Sequence, residues 1–399
     1  MNLKTIDNVD VKGKVVFLRC DLNVPLDKKG QVSDPTKINR HKMTINELIN
    51  KKAKLVIISH LGRPRGKEVI ELSLNKIVDE FAKIIGINEI TVLPYCKADV
   101  IKSVLNEKKE GTVTLMENIR FYPEEEENNE VFAKELSKVA DIYINDAFSV
   151  AHRKHVSTYE LSKLLPSFIG RSLELELRML NKINDSIDKP VMSIIGGSKV
   201  STKIDLLSTL VKKVDFLVIG GAMANTFLLE KGFEIGKSMV ETDKINVAKT
   251  VLEKAKKNNC TIILPKDVVV SRNLDEVNEA KNINLKDMDK NLSIFDVGEK
   301  TIEEISNIAA SCKTIFWNGP LGVYEKAPFD NSTNIIGRTI ALLTRGNILT
   351  SVVGGGDTIA ALNNAELTGG FSYASIAGGA LVEWLEGKKL PGLDFLENI

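Results

Sequence analysis

The chain predicts an α/β fold of two doubly wound, mainly parallel sheets, and three observations carry that reading. Short apolar runs rich in β-branched residues recur along its whole length. These runs are nearly continuous rather than alternating, as strands buried on both faces of a parallel sheet must be. Segments with helical periodicity separate them, and strand–helix alternation is the pattern of α/β architecture. In order, the strand runs are VVFL from Val15, LVIISH from Leu55, TVTLM from Thr112 and DIYIND from Asp141. They continue with VMSIIGG from Val191, DFLVIGG from Asp215, TIILP from Thr261, TIFWNGP from Thr314 and ILTSVVGGG from Ile348. Helical patterning is plainest in LNKIVDEFAKIIG from Leu74 and KINVAKTVLEKAKKN from Lys244.

A length of 399 residues suits two domains at the usual ~100–200 residues each. The boundary falls in LPSFIGRSLELELRMLNKIND, Leu164 to Asp185. There Leu173, Leu177 and Leu180 form one apolar stripe, and Glu174 and Arg178 form an i,i+4 ion pair on another face. The expected division is residues 1–171, a joining helix 172–186, and residues 187–385. A crossover helix inside one larger sheet is the alternative reading of that segment.

Composition narrows the function. Apolar residues make up 43% of the chain, enough for a large core. Lys and Arg number 54 against 53 Asp and Glu, a formal charge of +1, which points to neither nucleic acid nor an anionic membrane as partner. Cys20, Cys96, Cys260 and Cys312 are too scattered for a zinc site and read as reduced thiols. The polar start MNLKTIDNVD has no signal-like apolar region, and no run reaches the ~18 apolar residues of a membrane span. A soluble, cytoplasmic monomer is the expectation.

The second half ends several strands in glycine: GGSK at Gly196, GGAMAN at Gly220, NGPLG at Asn318 and GGGDT at Gly354. Ligands of parallel sheets bind beyond the strands' carboxyl ends, and a helix starting there offers free N–H groups and a positive dipole end to phosphate. In GGSKVSTKIDLL, a helix starting near Ser201 puts Lys199 and Lys203 at i,i+4 beside its N-terminus. Each cation there opposes the helix dipole by ~0.3–1 kcal/mol, a term that reverses once a polyphosphate lies across them. Two solvated lysines would show the same spacing. In GGGDT, Asp357 would be repelled by phosphates unless a divalent cation lay between. Magnesium is commonly held by one carboxylate together with phosphate oxygens and water; an aspartate N-cap is the plainer alternative. GxxxxGK[ST] is absent, as is a strand followed by GxGxxG with a downstream acid.

The first half ends its strands in cations and polar groups: RCDLN at Arg19, SHLGRP at Ser59, ENIRF at Glu117 and AHRKH at Ala151. His60, Arg63, Arg120, His152 and Arg153 would converge at one sheet edge. Arginine forks there suit the carboxylate and phosphate groups of a small acid. Arg19 reads as a partner in a structural ion pair, and Glu124–Glu127 as a solvated loop. A nucleotide on one half and a small anion on the other is a plan for phosphoryl transfer, where the protein positions reactants and neutralises charge.

The motifs RCDLNVP, SHLGRP, LMENIRFYPEE, NDAFSVAHRKHVST, GGSKVSTKI, WNGPLGVYE, GGGDT and LEGKKLPG, in that order from about Val15 to Gly392, resemble the phosphoglycerate kinase family. The resemblance implies two similar Rossmann-like domains, a cleft between them, and a tail, 386–399, returning to the first. It implies reversible transfer from 1,3-bisphosphoglycerate to MgADP, giving 3-phosphoglycerate and MgATP. It also implies that Asp21 and Asn23 hold the glycerate hydroxyl and carboxyl region, and that His60, Arg63, Arg120 and Arg153 surround the phosphate that is not transferred. Lys199 would neutralise the phosphoryl group in flight. Lys203 and Asn318 would lie at the nucleotide phosphates, with Gly355, Gly356 and Thr358 contacting them. Glu325 would bind ribose hydroxyls, Ile294 the base, and Asp357 the Mg2+ that accompanies ATP or ADP.

The chain departs from the family pattern in places. Lys37, before Ile38, stands where an arginine is expected to stabilise the transferring group; lysine keeps the charge and loses the planar fork. Arg40, one turn on, is a candidate stand-in. SIAGGA, from Ser375 through Ala380, carries Ile376 and Ala377 where the family shows a threonine followed by three glycines. Tyr373 replaces a common histidine, and Ser149 replaces a glycine before AHR. These departures leave open an impaired relative that binds nucleotide and phosphoglycerate, or a kinase for another small acid.

Overall fold

A computed structural model of the chain describes residues 3–94, 97–185 and 188–396. Two compact units emerge, one running to Leu180 and taking up the chain again from Lys389, the other from Asn181 to Lys388. Cys96 and the expected junction at 186–187 lie outside the described residues.

The first unit is built on six strands: β1 (Val15–Arg19), β2 (Lys54–Ile58), β3 (Thr91–Leu93), β4 (Val113–Met116), β5 (Ile142–Asn145) and β6 (Ser167–Ile169). They pair in the order β3-β4-β2-β1-β5-β6, every neighbour parallel. The continuous apolar runs have their reason here. Val16 and Leu18 enter one core cluster with Leu55 and Ile57, while Phe17 enters the other with Val56 and Ile58. Each such side chain contributes about 1.5–3 kcal/mol by leaving water. Parallel pairing also brings the carboxyl ends of β1, β2, β4 and β5 to one edge.

The second unit carries β7 (Val191–Ile195), β8 (Phe216–Ile219), β9 (Thr261–Ile263), β10 (Asp267–Ser271), β11 (Lys281–Asn284), β12 (Ser293–Val297), β13 (Thr314–Asn318), β14 (Thr350–Gly354) and β15 (Tyr373–Ser375). Six form a parallel sheet in the order β15-β14-β13-β7-β8-β9. The other three form an antiparallel sheet, β11-β10-β12. All four glycine-bearing turns therefore leave the same edge of the parallel sheet.

Some elements differ from expectation. The joining helix expected at 172–186 spans Arg171–Asp185, directly after β6, which takes Ser167–Ile169 of the boundary segment. Within it Leu173, Leu177 and Leu180 are buried, and Arg178 pairs with Glu174 at 2.6 Å. Glu124–Glu127 is not a solvated loop. A short helix spans Pro123–Glu126, and Glu125 is fully buried, accepting the Ser157 N–H at 2.8 Å and the Ser157 hydroxyl at 2.5 Å. Cys20, Cys260 and Cys312 are buried free thiols. The segment from Lys389 lies against the first unit, where Asn145 Nδ2 donates to the Gly392 carbonyl at 3.0 Å and Gly392 N donates to Ala151 O at 2.8 Å. No helix among the described residues is long and apolar enough to cross a membrane.

Candidate active site

At the carboxyl edge of the first sheet, side chains form a locked polar network. Asp21, just past β1, is buried, and its Oδ2 receives Lys37 Nζ at 2.8 Å and the Ser149 hydroxyl at 2.5 Å. Its Oδ1 accepts the Asn23 N–H at 3.1 Å. Burial alone would raise this carboxyl, but the Lys37 ammonium and the two hydrogen bonds outweigh it and hold the group below the ordinary carboxylate range. Asn23 Oδ1 in turn accepts the Gly62 N–H at 2.8 Å, which fixes the loop after β2 and leaves the Asn23 amide nitrogen open.

His60 follows β2 and takes a hydrogen bond on Nδ1 from Arg19 Nη2 at 3.2 Å, so its proton sits on Nε2. Burial first, then the Arg19 charge, push its pKa well below the usual histidine value, and it stays neutral. Arg19 is fully buried and makes no ion pair among the described residues. Its donors go to the Cys20 carbonyl, to Ser157 Oγ at 2.9 Å and to His60. Arg120 donates to the Gly62 carbonyl at 3.2 Å and reaches Glu126 at 3.4 Å. Burial and the Arg19 charge push the Arg120 guanidinium down to about 10. His152 is brought down to about 4 by burial and by Arg153. Arg63 and Arg153 are exposed and make no side-chain hydrogen bond or ion pair among the described residues. Burial is the largest cause of each of these depressed values, and neighbouring arginine charges add to it.

The second unit builds its site from backbone. Gly196 ends β7 so close to Gly319 and Pro320 that a Cβ would strike their carbonyls. Gly355 has φ +98°, a conformation side chains resist, and serves as N-cap of the helix Gly356–Asn364. The first-turn N–H groups of that helix have no intrahelical acceptor. Asn318 ties the turns together: its Nδ2 donates to Gly354 O at 2.9 Å and its own carbonyl accepts Gly196 N at 3.0 Å. Thr358 is a stitch as well, its hydroxyl donating to Gly354 O at 2.8 Å and accepting Gly319 N at 2.6 Å. Its backbone N–H is what remains for a ligand.

Lys203 sits in this frame. Its ammonium donates to Gly196 O at 2.6 Å, Asn318 O at 3.1 Å and Asn318 Oδ1 at 2.7 Å. Burial lowers its pKa to about 8, against a small opposing pull from Asp357. The helix expected from Ser201 is instead a 3-10 turn, Val200–Thr202, followed by a helix from Ile204, with Lys203 at its N-cap. Lys199 is exposed, its ammonium without a partner among the described residues. Asp357 is exposed and lies inside the first helical turn; the N-cap is Gly355, so the capping alternative falls. Val323 N donates to Phe295 O at 2.9 Å, bringing the segment of exposed Glu325 beside the strand of half-buried Ile294.

Sequence reasoning passed over Ser59, His41 and Asp146 and gave Ser149 no contact. Ser59 Oγ receives Leu22 N at 2.9 Å and donates to Cys20 O at 2.8 Å, joining the two strand ends that present Asp21 and His60. His41 occupies the buried face of the helix Thr36–Asn50 beside Ile38, Ile45 and Leu48. A histidine inside an apolar stripe was the available signal.

Cationic and polar side chains gather at the first sheet's carboxyl edge, and glycine turns with a lysine among their carbonyls at the second's; the protein is an α/β phosphotransferase. Residues 6–388 match the profile of the family described as phosphoglycerate kinase. The chain is 46% identical over 399 residues to the phosphoglycerate kinase of Rhizobium meliloti, with 100% of both covered. It is 45% identical over 398 residues to that of Ruegeria sp., again with 100% of both covered. The solved phosphoglycerate kinase structure from Coxiella burnetii shares 37% identity and a TM-score of 0.89, with 99% of each chain covered. The chain belongs to the phosphoglycerate kinase family, and its activity is phosphoryl transfer between ATP and 3-phosphoglycerate.

Proposed function

We propose that the first unit binds phosphoglycerate and the second binds nucleotide, and that the residues at the two sheet edges divide the work as follows. Asp21 and Asn23 hold the glycerate hydroxyl and carboxyl region. His60, Arg63, Arg120 and Arg153 take the phosphate that stays. Lys203, Asn318 and the N–H groups of Gly355, Gly356 and Thr358 hold the nucleotide phosphates, Glu325 the ribose and Ile294 the base. Lys199 and Lys37 neutralise the group in transit. A soluble cytoplasmic monomer is the setting we infer.

In transfer from ATP, a carboxylate oxygen of 3-phosphoglycerate attacks the γ-phosphorus. An oxygen–phosphorus bond forms, the bond to the β-phosphate oxygen breaks, and ADP leaves. The attacking carboxylate carries no proton at neutral pH, so the protein needs no general base. It needs cations, and the sites supply them. Asp357, a single exposed carboxylate beside the cradle, fits Mg2+ shared with nucleotide phosphates rather than caged by protein. Bound there, Mg2+ would neutralise phosphate charge. Among the described residues there is no cluster of three or more His, Cys, Asp or Glu side chains for a metal.

The observation that carries this reading is Lys203 inside the cradle formed by Gly196 and Asn318, with Lys199 free beside it. A coupled assay of ATP-dependent 3-phosphoglycerate phosphorylation tests it. Turnover should appear with Mg2+ and collapse without it. Lys37→Arg should raise kcat a few-fold by restoring the fork, and Arg40→Ala should leave it near wild type. Unchanged kcat in Lys37→Arg together with loss in Arg40→Ala would move the charge-neutralising role to Arg40.

A further inference from the structure

Asp21 is held from two directions. Ser149 Oγ, in the turn after β5, donates to Oδ2 at 2.5 Å, the same oxygen that Lys37 Nζ contacts at 2.8 Å. The backbone is held too. The Asp21 N–H donates to His41 Nε2 at 2.9 Å, so in this arrangement that nitrogen carries no proton. The opposite ring nitrogen, Nδ1, is 2.8 Å from Asp146 Oδ2 and donates to it. Asp146 is fixed in turn, because its Oδ1 accepts the N–H groups of Ser172 at 2.9 Å and Leu173 at 3.2 Å. His41 is 3% exposed and Asp146 1% exposed.

A carboxylate has about four lone-pair sites. On Asp21 three are filled: two on Oδ2 by Lys37 and Ser149, one on Oδ1 by the Asn23 N–H. One acceptor site remains, on Oδ1. A freely rotating carboxylate could turn either oxygen toward a ligand; this one cannot, because Ser149 and Lys37 anchor Oδ2. Ser149 also fixes the position of the Lys37 ammonium, since both share that oxygen.

We propose that Ser149 and His41 are positioning residues for the transfer reaction. They act through Asp21, Ser149 on its carboxylate and His41, backed by Asp146, on its amide, so that a single acceptor site on Oδ1 faces the substrate alcohol. This rests on the reading that Asp21 binds phosphoglycerate. Neither residue touches substrate, so the signature is a selective loss in phosphoglycerate recognition with nucleotide recognition preserved.

The test is steady-state kinetics of the purified full chain with each substrate varied separately. Ser149→Ala and His41→Leu should each raise KM for 3-phosphoglycerate about tenfold, as expected for losing a hydrogen bond to a fixed carboxylate or its support, and leave KM for ATP within about twofold. Rescue variants separate positioning from simple packing. Ser149→Thr keeps the hydroxyl. His41→Gln can still accept from Asp21 N with its oxygen and donate to Asp146 with its nitrogen. Both should stay near wild type. Asp21→Ala is the reference and should raise KM for 3-phosphoglycerate further than either. If Asp21→Ala shifts that KM and Ser149→Ala does not, the positioning role is wrong and the Asp21 reading stands. If Asp21→Ala leaves it unchanged, the Asp21 reading fails and takes the proposal with it. If His41→Leu does not express as folded protein, the Ser149 pair decides alone. Equal shifts in both KM values would mean a general structural effect and would overturn the proposal.

Discussion

On the proposed assignment, the two sheet edges hold negative charge by opposite means. In the first unit the work would be done by side chains: Asp21 is held by Lys37, Ser149 and Asn23, His60 by Arg19, and Arg120 by the Gly62 carbonyl and Glu126. In the second it is done by backbone: glycine turns, a helix start, and one lysine surrounded by carbonyls. The difference fits the ligands proposed for them. A small acid presents several different groups, and a fixed set of side chains can match each one. A polyphosphate presents repeated oxygens, which N–H groups and one cation match without regard to detail. The two sites should therefore fail differently. Substitutions in the first unit should change which acid is held, whereas substitutions in the second should change whether phosphate is held at all.

The largest effect expected from that contrast is at Gly196. Adding a Cβ drives it into the backbone carbonyls of Gly319 and Pro320, which cannot rotate away as a side chain could. Gly196→Ala should cost about 1–3 kcal/mol of stability in a denaturant melt and weaken ATP binding severely, while 3-phosphoglycerate still binds. Full ATP affinity in that variant would mean the cradle is not where phosphate sits.

A smaller effect sharpens the comparison through pH. Burial brings Lys203 down from 10.5 to about 8. An anion favours its charged form, so its pKa must rise on binding. Binding then loses strength as pH climbs from about 8 toward the higher pKa of the complex, by up to about tenfold per pH unit. Below pH 8 the lysine is already charged and the slope vanishes. ATP affinity measured between pH 7 and 9.5 should show this fall, and Lys203→Met should bind weakly with no slope. His60 is kept neutral by burial and Arg19, so phosphoglycerate binding should show no matching change in that window.

The long buried strands were legible because residues on both faces are apolar: the runs at Val15, Leu55, Val191 and Thr314 fall on β1, β2, β7 and β13. Of the three-residue edge strands, β9 was legible through the run TIILP, whereas β3, β6 and β15 were not, since so few residues carry no period. The antiparallel sheet escaped for another reason. β11 reads KNIN and is mostly exposed, so it has no apolar signal, and its pairing with β10 arises from tertiary context. Glycine turns and clustered cations marked both candidate sites. What stayed hidden was the support beneath them. Asp146 lies 105 positions from His41 and Ser149 lies 128 from Asp21, and only the parallel order of β1 and β5 brings them together. Glu125 misled in the opposite way, since four glutamates in a row look solvated while one is aimed at the core by a helical turn. The turn before Lys203 resisted prediction because the carbonyls of Gly196 and Asn318, which draw in its ammonium, come from other turns.

The division of labour between the units is tested most directly by calorimetric titration of Lys203→Ala with each ligand in turn. ATP affinity should fall at least tenfold, as the loss of a buried charge-assisted contact implies, and 3-phosphoglycerate affinity should match wild type. Unchanged ATP binding, or an equal loss for both ligands, would contradict the account.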